Sequence, residues 1–388
     1  MALLLNFDQK TRKIWATDQS TKDTLASGFF GRKEDGRLVL AIEEALYLID
    51  IRNARCASQD GSELTFNQVA SHFGNTSKFM ARYFTYKDWR DRGIIIKGTE
   101  GLRESPGEVQ MKRYPSSKLK LRNYRLEGVF YPADLTTVID DNDRGKQIYE
   151  ENWFGQYATY KISERGILNK LDIYETVFLM DQGILEVRNF TRKQIVDTAT
   201  ERRPDFEKLY EVFSDWRGKG YVIKTGFKFG THFRVYFPGA KPIKTDDSEW
   251  AHSKHVIHVF PRDAKLLISE WARVIRVAHS VRKTFILAIP GKSRKKNVDI
   301  DFVLYHRKGT NVETPENSKP RFGMLSLSEE EYIGGAELSA IINKAKAYRM
   351  ELIIAIADRE TAVTYYRVRR LELPKSPYEY YEIDWMQP

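Results

Sequence analysis

Three side chains with different proton chemistry stand where strands give way to loops. Tyr236 ends the run Phe233-Arg234-Val235-Tyr236 just before Pro238-Gly239, His252 precedes the run that starts at Lys254-His255, and Lys283 leads into Thr284-Phe285-Ile286-Leu287-Ala288-Ile289. Strand ends at a loop are places where side chains can converge on a ligand. Phosphodiester cleavage by the 2′-hydroxyl of RNA needs a group to take that proton, one to protonate the leaving 5′ oxygen, and a cation for the charge that grows on the phosphorane. A phenol, an imidazole and an ammonium can fill those roles without a metal or any other cofactor. Each residue also has a plainer reading: Tyr236 as a strand packing residue, His252 as a surface or capping histidine, Lys283 as a solvated charge. The triplet His252, His255, His258 invites a metal, but strand alternation turns His255 away from the other two. No carboxylate or thiol stands at ligand spacing, so no metal site is expected.

The chain repeats itself. Arg282-Lys283-Thr284-Phe285-Ile286-Leu287-Ala288-Ile289 returns as Arg349-Met350-Glu351-Leu352-Ile353-Ile354-Ala355-Ile356, with Met350 in the place of Lys283. Asp88-Trp89-Arg90 through Lys97 is echoed by Asp215-Trp216-Arg217 through Lys224, and Phe29-Phe30-Gly31 by Trp153-Phe154-Gly155. From Gly31 to Leu40 is 9 positions and from Gly155 to Leu171 is 16, so the second copy carries seven extra residues within 156–169, a stretch that holds Lys161 and Arg165. One complete unit flanked by degenerate halves is the pattern of a fused assembly.

The elements that must position the three residues follow from hydrophobic period and turn chemistry. Residues 36–50 read as a short strand entering a helix with the apolar face Ile42, Ala45, Leu46 and Ile49. Phe206, Leu209, Tyr210 and Phe213 mark a helix stopped by Gly218 and Gly220. Strands are expected at 221–224, 232–237, 254–260, 284–289 and 298–305, the last two closing the catalytic unit. A helix capped by Asp263 should bury Leu267, Trp271, Val274, Ile275 and Ala278. A helix over 336–347 and strands over 352–357 and 362–369 make the final half-copy. The fold class is mixed α/β, in tandem units that each pack helices on a small mixed sheet. The boundaries read as a degenerate unit at 1–102, a Ser/Pro/Lys/Arg linker at 103–125, an N-terminal subdomain at 126–200, a nuclease subdomain at 201–309, a linker at 310–320 and a degenerate unit at 321–388.

A net charge of +10 over 388 residues favours a polyanionic partner, and an aromatic share of 13% suits stacking on unpaired bases. Cys56 is the only cysteine, which excludes an intrachain disulfide and a cysteine-based zinc site and points to a reducing, cytoplasmic setting. The first residues lack a basic, long apolar leader and no run reaches ~18 apolar residues, so neither export nor a membrane span is expected.

Four motifs taken in order carry a resemblance. Tyr221 to Gly230 (YVIKTGFKFG), Phe233-Arg234-Val235-Tyr236, His252-Ser253, and Arg276 to Lys283 (RVAHSVRK) resemble the signature of archaeal tRNA-splicing endonucleases. The likeness covers about 126–309 well, and the flanking half-copies make the chain look like the fused three-unit form, two chains of which imitate the family's four-unit assembly. The resemblance implies an RNA endonuclease, a homodimer, that cuts precursor tRNA at bulge-helix-bulge sites and leaves 2′,3′-cyclic phosphate and 5′-hydroxyl ends. It makes Tyr236 the general base, His252 the general acid and Lys283 the transition-state cation, whose charge would also favour the phenolate. It further implies base stacking by Arg276, assisted by Arg307, and an assembly loop holding Asp246, Asp247 and Glu249. The extra residues, with Lys161 and Arg165, are expected to touch RNA. The alternative is a catalytically silent scaffold that binds structured RNA. A metal-dependent DNA nuclease is disfavoured because Asp299 and Asp301 lack a following Glu-x-Lys.

Overall fold

The computed structural model describes residues 3–16, 18–104, 111–121, 124–160, 162, 165–242, 252–291 and 298–388. Its centre is a mixed sheet of 11 strands among the described residues. Two strands form the middle, Val363–Glu372 and Glu379–Met386, antiparallel with Val368 opposite Ile383. Outward on one side come Thr284–Ile289, His255–Val259, Phe233–Tyr236 and Val222–Thr225. On the other side come Glu351–Ala357, Phe322–Ser328, Phe302–Leu304 and Ile96–Lys97. Read outward from the centre, both sides show the same pairing order: antiparallel, parallel, antiparallel, antiparallel. The sheet is therefore two units back to back. The second unit takes its outermost strand from the N-terminal half-copy and the rest from the C-terminal one, so the two half-copies join within one chain.

The repeated tripeptides explain this join. Asp88-Trp89 closes the helix Phe79–Asp91, and Asp215-Trp216 lies near the end of the helix Phe206–Gly218. Both indoles are fully buried. Trp216 meets the Tyr380 ring edge-on at 5.3 Å while Asp215 accepts the Tyr380 hydroxyl at 2.6 Å. Trp89 meets Tyr365 edge-on at 5.4 Å while Asp88 accepts the Tyr365 hydroxyl at 2.7 Å. Each helix thus docks on one of the two central strands through a buried indole and a satisfied phenol, the way large aromatic side chains combine burial with a polar tether.

A smaller sheet accompanies each unit. Arg32–Glu34, Arg37–Leu40, Lys13–Ala16, Leu4–Asp8 and Arg55–Ser58 stand in the same order as Gln156–Tyr157, Asn169–Leu171, Thr136–Ile139, Leu126–Tyr131 and Leu185–Val187. In both, a lysine from the large sheet pins the small one. Lys224 donates to the Gly155 carbonyl at 2.8 Å and to Glu175 at 2.6 Å, and Glu175 accepts the Gly155 amide at 3.0 Å. Lys97 donates to the Gly31 carbonyl at 3.1 Å and to Glu44 at 3.0 Å, and Glu44 accepts the Gly31 amide at 3.0 Å. Both glycines have positive φ, and a Cβ on Gly155 would lie 2.0 Å from the Asn169 side chain. At both places a side chain would collide with the adjacent strand, so only glycine fits.

Several sequence expectations change. Asp263 does not cap a helix: Lys265–Leu267 pairs as a strand with Tyr332–Gly334, so the helix Ile268–Ser280 starts after Leu267. The strand expected at 298–305 is Phe302–Leu304, and it pairs with Ile96–Lys97 and Phe322–Ser328 in the second unit. The catalytic unit is closed instead by Glu379–Met386, hydrogen bonded to Thr284–Ile289. Within 103–125, Lys112–Arg113 forms a short strand beside Val363–Glu372, and Tyr114 is buried with its hydroxyl on Glu382. Among the described residues no helix is long and apolar enough to cross a membrane.

Candidate active site

Tyr236, His252 and Lys283 line one cavity of about 470 Å³. Each arrives on a different element. Tyr236 ends the strand Phe233–Tyr236, His252 lies three residues before the strand His255–Val259, and Lys283 sits between the helix Ile268–Ser280 and the strand Thr284–Ile289. The tight turn that delivers Lys283 holds Arg282 at positive φ, with the Lys283 amide donating to the Ala278 carbonyl at 3.0 Å. The walls include Trp153, Gln156, Tyr160 and Phe227, and the buried Lys224–Glu175 pair lies beneath. Trp153 packs 4.7 Å from the Tyr236 ring.

Ser253 fixes one of the three. Lys283 donates to its carbonyl and, at 2.9 Å, to its hydroxyl. The Lys283 ammonium also stands 4.6 Å over the Phe229 ring. Burial raises the Tyr236 pKa above the usual phenol value, and the charge of Arg234, 5.8 Å over the Tyr236 ring, and the nearby Ser253 hydroxyl oppose that rise. Lys283 itself is lowered by burial first and then by the neighbouring charge of Arg234.

The second unit holds the matching place without the matching chemistry. Strand register places Val303 opposite Lys97 as Arg234 is opposite Lys224, so Tyr305 corresponds to Tyr236 and Val303 to Arg234. Phe322 pairs with Leu304 and Glu351 as His255 pairs with Val235 and Thr284, which puts Lys319 at the place of His252, Pro320 at that of Ser253 and Met350 at that of Lys283. Arg349 repeats the positive φ of Arg282, so the backbone device survives. Only the phenol is kept. Tyr305 is 7% exposed and Met350 3%, both absorbed by packing.

The remaining expected residues lie elsewhere. Arg276 lines a separate hollow with His279, Thr364, Asp384 and Trp385. Arg307 belongs to the hairpin of Arg307–Lys308 with Asn311–Val312 and donates to the Arg92 carbonyl at 2.8 Å. Neither reaches the cavity of Tyr236. Arg165 is exposed in the extra segment, whose Gln156 and Tyr160 do line that cavity. Lys161, Asp246, Asp247 and Glu249 lie outside the described residues. His255 packs between Tyr114 and Phe237, and His258 packs tilted against His232 at 4.5 Å, so the histidine triplet is dispersed. Ser253 and Arg234 were given no role from sequence, because the copy that lacks them is recognisable only from strand register.

A cavity that presents a phenol, an imidazole and an ammonium, on a chain whose domains match known nucleases, defines an RNA endonuclease. Residues 206–300 match the catalytic C-terminal domain of tRNA intron endonuclease, and residues 7–70 match its N-terminal domain. The chain is 28% identical to the tRNA-splicing endonuclease of Methanococcoides burtonii over 325 residues, covering 68% of this chain and 89% of the relative. It is 32% identical to that of Thermococcus kodakarensis over 165 residues, 42% of this chain and 89% of the relative. With that of Methanopyrus kandleri it shares 36% identity over 132 residues, 33% of this chain and 69% of the relative. The chain belongs to the tRNA-splicing endonuclease family.

Proposed function

We propose that the protein removes introns from precursor tRNA by cutting bulge-helix-bulge sites, through metal-independent transesterification that leaves 2′,3′-cyclic phosphate and 5′-hydroxyl ends. Tyr236 takes the proton of the 2′-hydroxyl, whose oxygen then attacks the adjacent phosphorus. His252 gives a proton to the departing 5′ oxygen, and Lys283 stabilises the charge on the phosphorane oxygens. Ser253 holds Lys283 in place, and the charge of Arg234 opposes the burial that holds the proton on Tyr236. The observation that carries this reading is the meeting of all three groups in one cavity, set against the Lys319 and Met350 that replace two of them in the second unit.

The chain acts as the fused three-unit form and as a homodimer in the cytoplasm, each chain supplying one active unit and one silent one. Arg276 acts on a bulge base from across the dimer, with Arg307 completing the clamp; Lys161 and Arg165 contact RNA from the extra segment; Asp246, Asp247 and Glu249 dock on the partner. The test is cleavage of a bulged precursor tRNA in EDTA, with product ends analysed and the mass of the complex measured in solution. Wild type should cut at both bulges as a particle of twice the chain mass. Tyr236→Phe, His252→Ala and Lys283→Ala should each lose ~10²-fold or more. Binding without cutting by the wild type would favour the silent scaffold, and metal-dependent cutting would overturn the three assigned roles.

A further inference from the structure

We infer that Arg234 is a fourth substrate-facing group of the active unit, holding a phosphate oxygen of the RNA beside Tyr236; this rests on the endonuclease reading above. Three observations converge. First, Arg234 lines the same cavity as the three proposed catalytic residues, two positions before Tyr236 on the same strand and therefore on the same face of the sheet. Second, its Nε is buried with no hydrogen-bond partner among the described residues. A buried guanidinium N–H without an acceptor is costly unless something supplies one, and a phosphate oxygen matches its planar fork. Third, the silent unit keeps the phenol and the strand but carries Val303 at this place. Packing there tolerates an apolar side chain, so the strand itself does not require the guanidinium.

The surrounding charges agree. Around the cavity stand Lys170, Lys224, Lys228 and Lys283 against the carboxylates Asp172 and Glu175, and Glu175 is already engaged by Lys224. Asp172 caps the helix Ile173–Asp181, accepting the Glu175 amide at 2.8 Å. Arg234 and Lys283 are thus two cations close enough to feel each other, with the Lys283 ammonium already bound by Ser253 and the Arg234 Nε unbound. An anion between them would relieve their repulsion. The 2′-hydroxyl that Tyr236 serves is adjacent in RNA to the scissile phosphate, so an anion at this place is the phosphate under attack.

The test compares wild type, Arg234→Gln and Arg234→Lys in single-turnover cleavage of a bulged precursor tRNA. It is joined to equilibrium binding of the same RNA with a 2′-deoxynucleotide before each scissile phosphate, which removes the nucleophile. Arg234→Gln should cleave about 10²- to 10³-fold more slowly, as for loss of one donor to a developing oxyanion. Its binding should show a salt dependence shallower by about one phosphate contact. Arg234→Lys should keep the salt dependence and fall between the other two in rate, because a single ammonium cannot make the forked contact. Cleavage by Arg234→Gln within threefold of wild type overturns the inference. So does slower cleavage with an unchanged salt dependence, which would mark a purely structural side chain. A wild type that binds but never cuts defeats the endonuclease reading instead, and the salt dependence of the Gln variant still reports on Arg234.

Discussion

Replacing Lys224 by Met should be among the most damaging single changes outside the catalytic groups. Lys224 is 8% exposed, and its ammonium spans the Gly155 carbonyl and the Glu175 carboxylate. Methionine fills the stem but leaves Glu175, itself 2% exposed, without its cation. Glu175 keeps two amide donors, from Gly155 and Asp172 at 3.0 and 3.3 Å. Breaking one side of a buried pair costs about 3–5 kcal/mol, mostly from the stranded charge. Adding Glu175→Gln removes that charge while an amide oxygen still accepts from Gly155. The double variant should therefore be less destabilised than the sum of the single ones by about 2 kcal/mol. Denaturant unfolding of the four proteins measures this directly, and Lys97→Met provides a parallel for the pair with Glu44. A loss under about 1 kcal/mol for Lys224→Met, or strict additivity in the cycle, would refute the claim that this ion pair pins the small sheet to the large one.

Two further outcomes concern stability. Burial holds His255 and His258 at about 4, below the ordinary histidine value. The unfolded chain therefore binds more protons than the fold between about pH 6.5 and 4, and stability is full above that window and lost as pH falls through it. Each residue should cost about 2 kcal/mol by pH 5, and unfolding midpoints that agree at pH 7.5 and pH 5 would contradict this. Met350→Lys restores the charge that the silent unit lacks, but at a buried place with no Ser253 equivalent to receive it. It should lose about 3 kcal/mol in denaturant unfolding and gain no second cleavage activity; an unchanged unfolding midpoint would show that the ammonium finds an exit.

What was legible in the sequence depended on the range of the interaction. The candidate residues Tyr236, His252 and Lys283 were visible because each stands at the end of a local element whose period and turn residues are plain. The repeats were visible because Trp89 and Trp216 do the same buried job, and so kept their flanking Asp and Arg. The join between half-copies was not visible. It depends on Ile96 pairing with Leu304 and on Trp89 meeting Tyr365, contacts between strands and helices more than two hundred residues apart. The same limit misplaced Phe302–Leu304. Phe302-Val303-Leu304-Tyr305 follows the catalytic copy in sequence and looks like its last strand, yet it is the counterpart of Phe233-Arg234-Val235-Tyr236 in the other unit. Asp263 misled for a local reason: a good capping residue does not start a helix when the next residues are taken by a strand partner, here Tyr332–Gly334.

The connectivity also bears on why the silent unit persists. The catalytic unit cannot close its own sheet, because the strand beside Thr284–Ile289 comes from the last residues of the chain. That strand brings Tyr380 to Trp216 and Asp215, on the helix that leads through Tyr221 to the strand bearing Lys224. The chain therefore has to return from residues 290–378 to complete the active unit, and most of what lies between belongs to the second unit. At the places of His252 and Lys283 it presents an exposed Lys319 and a buried Met350. Its Trp89, Tyr365, Lys97 and Glu44 hold the half of the sheet on which the final strand is laid. Completing one active site thus requires the framework of both units, whatever side chains the second presents at the matching place.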